Sequence, residues 1–277
     1  MITLSLTFVA FSSIIIVAAM YLAKFGDEIG EKTGIGGSVT GLVLLAGATS
    51  LPEFSVGFSA VQQGAPDLAA GGILGSSLVN LLILSLVDLI SRRPGRILTR
   101  SAAAHAMSAT VGVLLTGLIL LGILLDAEWS ALRIGPASWA VIAAYALCAR
   151  LIFLDQREAA KQLTGEVKEV DLPEQTNSRS LSLSIIGFTL ATLVIFVVAP
   201  YLSSSADQIA ELTGLGRTFI GTLLLAAVTS LPEAVSTIAA VRIGAVDMAI
   251  ANIFGSNAFN MVIFAILIRP VHNPCLA

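Results

Sequence analysis

Long apolar stretches with few or no charges recur at residues 3–23, 36–62, 68–87, 101–125, 134–154, 181–204, 218–241 and 248–268. Each is close to, or longer than, the roughly 20 residues that carry an α-helix across a hydrocarbon core of about 30 Å. Lipid offers the backbone no hydrogen-bond partner, so crossing segments are helices or closed barrels. The runs lack the two-residue alternation of barrel strands. The pattern therefore predicts an all-α, multi-pass membrane protein with about eight transmembrane helices. No Lys or Arg precedes Lys24, so the first run reads as a retained helix and not as a signal peptide.

The chain also repeats itself. Residues 41–80 align without a gap to 221–260 at a constant offset of 180, and 19 of the 40 positions are identical. The register continues upstream, pairing Tyr21 with Tyr201, Asp27 with Asp207, Glu31 with Glu211 and Gly34 with Gly214. Five crossings separate equivalent helices, an odd number, so the second copy lies upside down relative to the first. Inverted-topology repeats are the architecture of secondary transporters, with the substrate site near the midplane where the copies meet. This divides the chain into a first half, 1–154 (helices one to five, repeat about 36–90), a connector, 155–180, and a second half, 181–277 (helices six to eight, repeat about 216–269).

Composition narrows the function classes. With 56% hydrophobic and 12% charged residues, against about 25% charged in soluble proteins, no large soluble domain fits. A net charge of -3 without a polybasic tract excludes nucleic acid as a partner. Cys148 and Cys275 make neither a disulfide framework nor a metal-ligand spacing. No His-Glu-x-x-His, Gly-x-Ser-x-Gly or Gly-x-Gly-Asp motif is present, so an enzyme is not expected. Arg92, Arg93, Arg96 and Arg100 crowd the link after the third helix, which by the positive-inside rule is cytoplasmic. The charged connector then falls on the same side, where its composition suggests a mobile segment, and both termini face outward.

Identity between the repeats concentrates in two places. Thr49-Ser50-Leu51-Pro52-Glu53 matches Thr229-Ser230-Leu231-Pro232-Glu233, and Gly75-Ser76-Ser77-Leu78-Val79-Asn80 matches Gly255-Ser256-Asn257-Ala258-Phe259-Asn260. A proline within a helix lacks a donor and displaces the carbonyl four residues earlier. Carbonyls near Ala46 to Thr49 and Ala226 to Thr229 are thus expected free of helical pairing. Broken helices at the midplane use such carbonyls to hold cations, and hard cations take oxygen ligands. Glu53 and Glu233 stand out, because an ionisable side chain at mid-bilayer costs about 2.5 to 3.5 kcal/mol on insertion scales. No Lys, Arg or His lies in either segment to pair with them. Serines and threonines here also have the ordinary option of bonding back to their own helix. Gly75 and Gly255 fit close helix contact better than ligation, and Asp67 and Asp247 fit helix starts.

At these motifs the chain resembles the sodium/calcium exchangers of the calcium/cation antiporter superfamily, whose paired alpha repeats carry a Ser-Leu-Pro-Glu segment and a Gly-Ser-Asn segment. The resemblance spans residues 3–268 and is most detailed in the two repeat blocks. It implies a Na⁺/Ca²⁺ antiporter working by alternating access, in which the first and sixth helices slide as a pair. Glu53 and Glu233, with carbonyls at Thr49 and Thr229, would hold Ca²⁺. Ser50, Ser76, Ser230, Ser256, Asn80, Asn260 and the carbonyls of Ala46 and Ala226 would complete overlapping Na⁺ sites. The ions are cargo, and no cofactor is expected. An antiporter of the same fold coupled to protons or another cation, or a cation-binding form without flux, is the alternative.

Two departures from the family pattern matter. Many relatives have an aspartate at the position of Asn260, so this site carries two formal negative charges in place of three. One divalent ion or two sodium ions neutralise it, and a third sodium would be uncompensated in a low-dielectric place. Relatives usually have ten helices, and nothing here matches helices four and five in the second copy. A natural short form, a truncated product and a partner-completed assembly all fit that pattern, and the lopsided scaffold raises the expectation of a homo-oligomer or of instability. Short loops and the absence of a regulatory domain between the halves point to a prokaryotic plasma membrane.

Overall fold

The computed structural model describes residues 2–62, 64–90, 97–125, 135–166, 180–212 and 226–268. Arg92, Arg93 and Arg96, most of the connector, the start of the run at 218–241 and the tail with Cys275 lie outside the described residues.

In chain order the helices are α1 (Ile2–Thr33), α2 (Gly37–Val39), a π-helical turn (Thr40–Leu45), α3 (Ala46–Thr49), α4 (Leu51–Gln62), α5 (Pro66–Ile90), α6 (Ile97–Leu125) and α7 (Pro136–Glu166). The second half supplies α8 (Leu181–Leu212), α9, described over 226–229, α10 (Leu231–Ile243) and α11 (Val246–Leu267). No strand occurs among the described residues. Seven segments among them are long and apolar enough to cross a membrane. The eighth expected run is described only from residue 226 onward, as α9 and α10. Three helices outrun their apolar runs: α1 continues to Thr33 and α8 to Leu212, and the longest extension is that of α7, which continues to Glu166, well past the end of its run at 154. Most of that extension, from Gln156-Arg157-Glu158-Ala159-Ala160-Lys161 to Gln162-Leu163, consists of strong helix formers, so the connector begins as helix.

Both repeats break a helix at the same place. Pro52 and Pro232 have no N–H to offer the carbonyls of Ala48 and Val228. Two residues before each proline the backbone leaves helical geometry, at φ −83°, ψ 3° for Ser50 and φ −80°, ψ 7° for Ser230, the sparsely populated bridge region found at many active sites. The turns that follow are also copies. Gly64 and Gly244 take positive φ, 74° and 92°, which only glycine adopts at little cost. In each the next residue donates back, Ala65 to the Ala60 carbonyl and Ala245 to the Ala240 carbonyl, both at 2.9 Å. This left-handed cap closes α4 and α10 and reverses the chain into α5 and α11.

Packing centres on α11, which lies against α3, α4, α5, α6, α7, α10 and the π-helical turn. Its apolar residues Ala258, Met261, Val262 and Phe264 join Val111, Leu115, Val141 and Ile152 of α6 and α7 in the main core cluster. The approach is close enough to need glycine: a Cβ on Gly255 would stand 2.6 Å from the Leu42 carbonyl oxygen and 2.8 Å from the Ala46 Cβ. The long helices α1 and α8 pack along one another, and Ala18, Ala19 and Leu22 of α1 meet Ala191 and Ile195 of α8 around Leu45 and Met248. The two halves are unequal. Positions Leu78, Leu81 and Leu82 of α5 are exposed, whereas their repeat mates Ala258, Met261 and Val262 on α11 are buried under α6 and α7.

Candidate ion-binding site

All twelve residues singled out by sequence are buried: Ala46, Thr49, Ser50, Glu53, Ser76 and Asn80 from the first repeat, and Ala226, Thr229, Ser230, Glu233, Ser256 and Asn260 from the second. They meet at the two helix breaks. Ser50 Oγ donates to Glu233 Oε1 at 3.4 Å, and Ser230 Oγ donates to Glu53 Oε1 at 3.5 Å. Thr49 and Ser256 share a hydroxyl hydrogen bond at 3.3 Å, and Ser76 and Thr229 share its counterpart at 3.0 Å. Exchanging residue numbers by 180 turns each contact into its partner, so the site is built twice from one local fold. The hydroxyls of Ser76, Thr229 and Ser230 lie around the Glu53 carboxylate, and those of Thr49 and Ser50 around Glu233.

The carbonyl expectation needs correction at Ala46 and Ala226. Neither is free: Ser50 N–H and Ser230 N–H donate to them at 3.0 Å each, and the hydroxyls of Thr49 and Thr229 do so at 3.4 and 3.1 Å. The proline acts on the carbonyl four residues before it, which belongs to Ala48 or Val228, while Ala46 sits in the last intact turn. A cation reaching Ala46 or Ala226 would therefore have to displace a donor.

What is left unpaired defines the chemistry. At the helix breaks Glu53 Oε2, Glu233 Oε2, Asn80 Oδ1 and Asn260 Oδ1 are buried and accept no hydrogen bond; elsewhere the same holds for Asn252 Oδ1, and the Tyr145 hydroxyl and Ser203 Oγ are buried without a partner. Such oxygens are costly unless something supplies positive charge or a donor. Among the described residues neither glutamate forms an ion pair; a pair found there joins Lys32 Nζ to Glu28 Oε2 at 3.7 Å, near the end of α1. Nor do three His, Cys, Asp or Glu side chains gather anywhere among them. The donor set is thus two carboxylates and neutral oxygens, the ligand chemistry of hard cations.

Two residues of this layer escaped the sequence reading. Asn257 accepts from Asn80 Nδ2 at 3.1 Å and donates to the Ser77 carbonyl at 3.2 Å, while Asn260 Nδ2 donates to Ser77 Oγ at 3.4 Å. They turn the amide groups of Asn80 and Asn260 so that the oxygens stay unpaired. Both stand inside the quoted Gly-Ser motif, and their signal was that these paired positions are polar in both copies. Asn252 was missed as well. It is buried and donates to Ser236 Oγ and Thr237 Oγ1, both at 3.1 Å, and its signal was a carboxamide in an apolar run where the other copy has Gly72.

Two inverted copies, each breaking a helix beside a buried glutamate, define a multi-pass membrane protein of the inverted-repeat transporter class. The family model for the sodium/calcium exchanger protein matches residues 3–154 and 183–273, and the chain belongs to that family, one of transporters and not of enzymes. The inner membrane protein YrbG of Escherichia coli (strain K12) is 29% identical over 237 residues, which cover 83% of this chain and 68% of YrbG. The sodium/calcium exchanger MaX1 of Methanosarcina acetivorans is 28% identical over 273 residues, covering 89% of this chain and 76% of MaX1. The solved structure of the sodium-calcium exchanger NCX_Mj superimposes with a TM-score of 0.69 at 19% identity, over 97% of this chain and 82% of that one. At that identity the match speaks for the fold.

Proposed function

We propose that the protein is a Na⁺/Ca²⁺ antiporter that works by alternating access, with the two ions competing for shared oxygens at the helix breaks. The observation that carries this reading is the pair of buried glutamates from opposite repeats, each with an unpaired Oε2 and, among the described residues, no ion pair to neutralise it. In this reading Glu53 and Glu233, with the carbonyls of Thr49 and Thr229, bind Ca²⁺. The hydroxyls of Ser50, Ser76, Ser230 and Ser256 and the free amide oxygens of Asn80 and Asn260 serve Na⁺. Ala46 and Ala226 join only if their donors move. The hydroxyls already oriented at the carboxylates favour sodium as the counter-ion, since a proton acceptor would need no such ring. The arginines after α5 support, by the positive-inside rule, an orientation with both termini outside a prokaryotic plasma membrane.

The test is uptake of radiolabelled Ca²⁺ into sodium-loaded proteoliposomes by the intact protein, Glu53→Gln and Glu233→Gln. Uptake that requires the outward sodium gradient and is lost in both variants is expected. Uptake driven by a proton gradient with no need for sodium would replace the counter-ion, and uptake unaffected by both substitutions would remove the site.

A further inference from the structure

The repeat symmetry that holds at the glutamates fails one turn away from them. Between α4 and α5 a cleft of about 20 Å³ reaches Glu53 past Val56, Gly57, Ala60, Leu68 and Gly72, room for about one water molecule. Their mates on α10 and α11 are Ser236, Thr237, Ala240, Met248 and Asn252, and every one of these is fully buried. The difference centres on one pair of positions. Ser236 Oγ gives its proton to the Glu233 carbonyl at 3.2 Å, so its lone pairs face Asn252, whose amide group donates to it and to Thr237. That carboxamide staples α11 to α10 beside Glu233. Position 72 has no side chain to do the same for α5 and α4. Packing does not demand this glycine, because a Cβ on Gly72 would meet nothing within 4 Å, whereas one on Gly57 would stand 3.0 Å from Leu267.

We infer that the notch at Gly72, between α4 and α5, is the route by which a cation reaches and leaves Glu53, and that the equivalent seam between α10 and α11 is closed by Asn252 in this conformation. The inference rests on the reading of Glu53 as an ion ligand. Apart from the Thr229 hydroxyl, which stands at the Glu53 end, the route is lined by residues such as Val56, Gly57, Ala60 and Gly72, which offer no charge and no side-chain oxygen at which an ion would stop. Gly72 therefore governs the rate of exchange and not the affinity of the site.

The experiment uses the full chain with Cys148→Ser and Cys275→Ser as background, and adds Gly72→Cys or Asn252→Cys. A membrane-impermeant thiol reagent should modify position 72 roughly tenfold or more faster than position 252. Met248→Cys replaces the second variant if Asn252→Cys does not fold. After modification at 72, radiolabelled Ca²⁺ should dissociate from the purified protein roughly tenfold more slowly, with its equilibrium affinity within about twofold of the unmodified protein. Equal labelling of the two cysteines, or unchanged dissociation after modification, in a background that binds Ca²⁺ overturns the notch. A background that binds no Ca²⁺ overturns the reading of Glu53 instead.

Discussion

Ser50 and Glu233 lie 183 residues apart in sequence, yet the serine hydroxyl reaches the glutamate Oε1 at 3.4 Å. Ser230 does the same to Glu53 at 3.5 Å. Each helix break is thus tied to the acid of the opposite repeat, and neither half holds a complete site alone. A hydrogen bond to a charged group contributes about 1.5 to 3 kcal/mol, and these distances are long enough to favour the lower value. Ser50→Ala and Ser230→Ala are each expected to weaken cation binding roughly tenfold. The double variant should fall short of the summed loss, because both hydroxyls serve one network. Equilibrium Na⁺ competition against bound Ca²⁺ reads both effects, and unchanged competition curves would remove the serines from the site.

The close approach of α11 to the π-helical turn makes a separate prediction about stability. A methyl group on Gly255 would overlap the Leu42 main chain, 2.6 Å from its oxygen and 2.7 Å from its Cα, and backbone yields less readily than the end of a side chain. Overpacking of this kind costs about 1 to 3 kcal/mol. Gly255→Ala should lower the melting temperature in detergent, while Gly72→Ala, whose methyl meets open space, should leave it unchanged. Equal melting of the two variants would contradict the packing described here.

Most of this was legible before any coordinates, and the reason is redundancy. The offset of 180 writes the helix breaks, the glutamates, the glycine turns and the small residues of the crossing twice, so each copy vouches for the other. Features present once were harder to read. Asn252 has a glycine for a mate, and the staple it forms with Ser236 and Thr237 depends on how α10 meets α11. The carbonyls of Ala46 and Ala226 were expected to be free because proline disrupts helices in general; which carbonyl it frees is set by the four-residue span of the helical bond, and that points to Ala48 and Val228. The extent of α7 was missed because apolar content measures the width of the bilayer, whereas the helix continues as far as its residues favour helix.

A polar latch joins α1 to α8 at one end only. Ser184 Oγ donates to Glu28 Oε2 at 2.6 Å and accepts from Lys32 Nζ at 2.9 Å, and Ser184 is itself buried. Shifting these three by one repeat gives Gln208, Leu212 and Leu4, which cannot form the same triad. Ser184→Ala is expected to destabilise the protein by about 1 to 3 kcal/mol, the cost of leaving a partly buried carboxylate short of a donor. Equilibrium Ca²⁺ affinity should not change, since the latch is remote in sequence and in bonding from the glutamates. Thermal melting and Ca²⁺ binding measured on the same preparation separate the two, and a loss of affinity without a loss of stability would show that the latch belongs to the site.

Charge balance at Asn260 provides the last test. With Glu53 and Glu233 as its acids, the proposed site is neutral with one Ca²⁺ or with two Na⁺, so exchange of one for the other moves no net charge. Asn260 Oδ1 is buried and unpaired, while its Nδ2 donates to Ser77 Oγ at 3.4 Å. Asn260→Asp adds a third negative charge and removes that donor. Ser77 Oγ, which donates to the Ile73 carbonyl at 3.2 Å, would have to turn toward the new carboxylate. An extra buried charge is costly unless a cation accompanies it, so the variant should require a further Na⁺ per cycle. Calcium uptake would then rise more steeply with sodium concentration and would respond to a membrane potential that leaves the native protein unaffected. Sodium-gradient-driven uptake measured with and without an imposed potential checks this, and identical sodium and voltage dependence in the two proteins would show that Asn260 does not set the charge of the site.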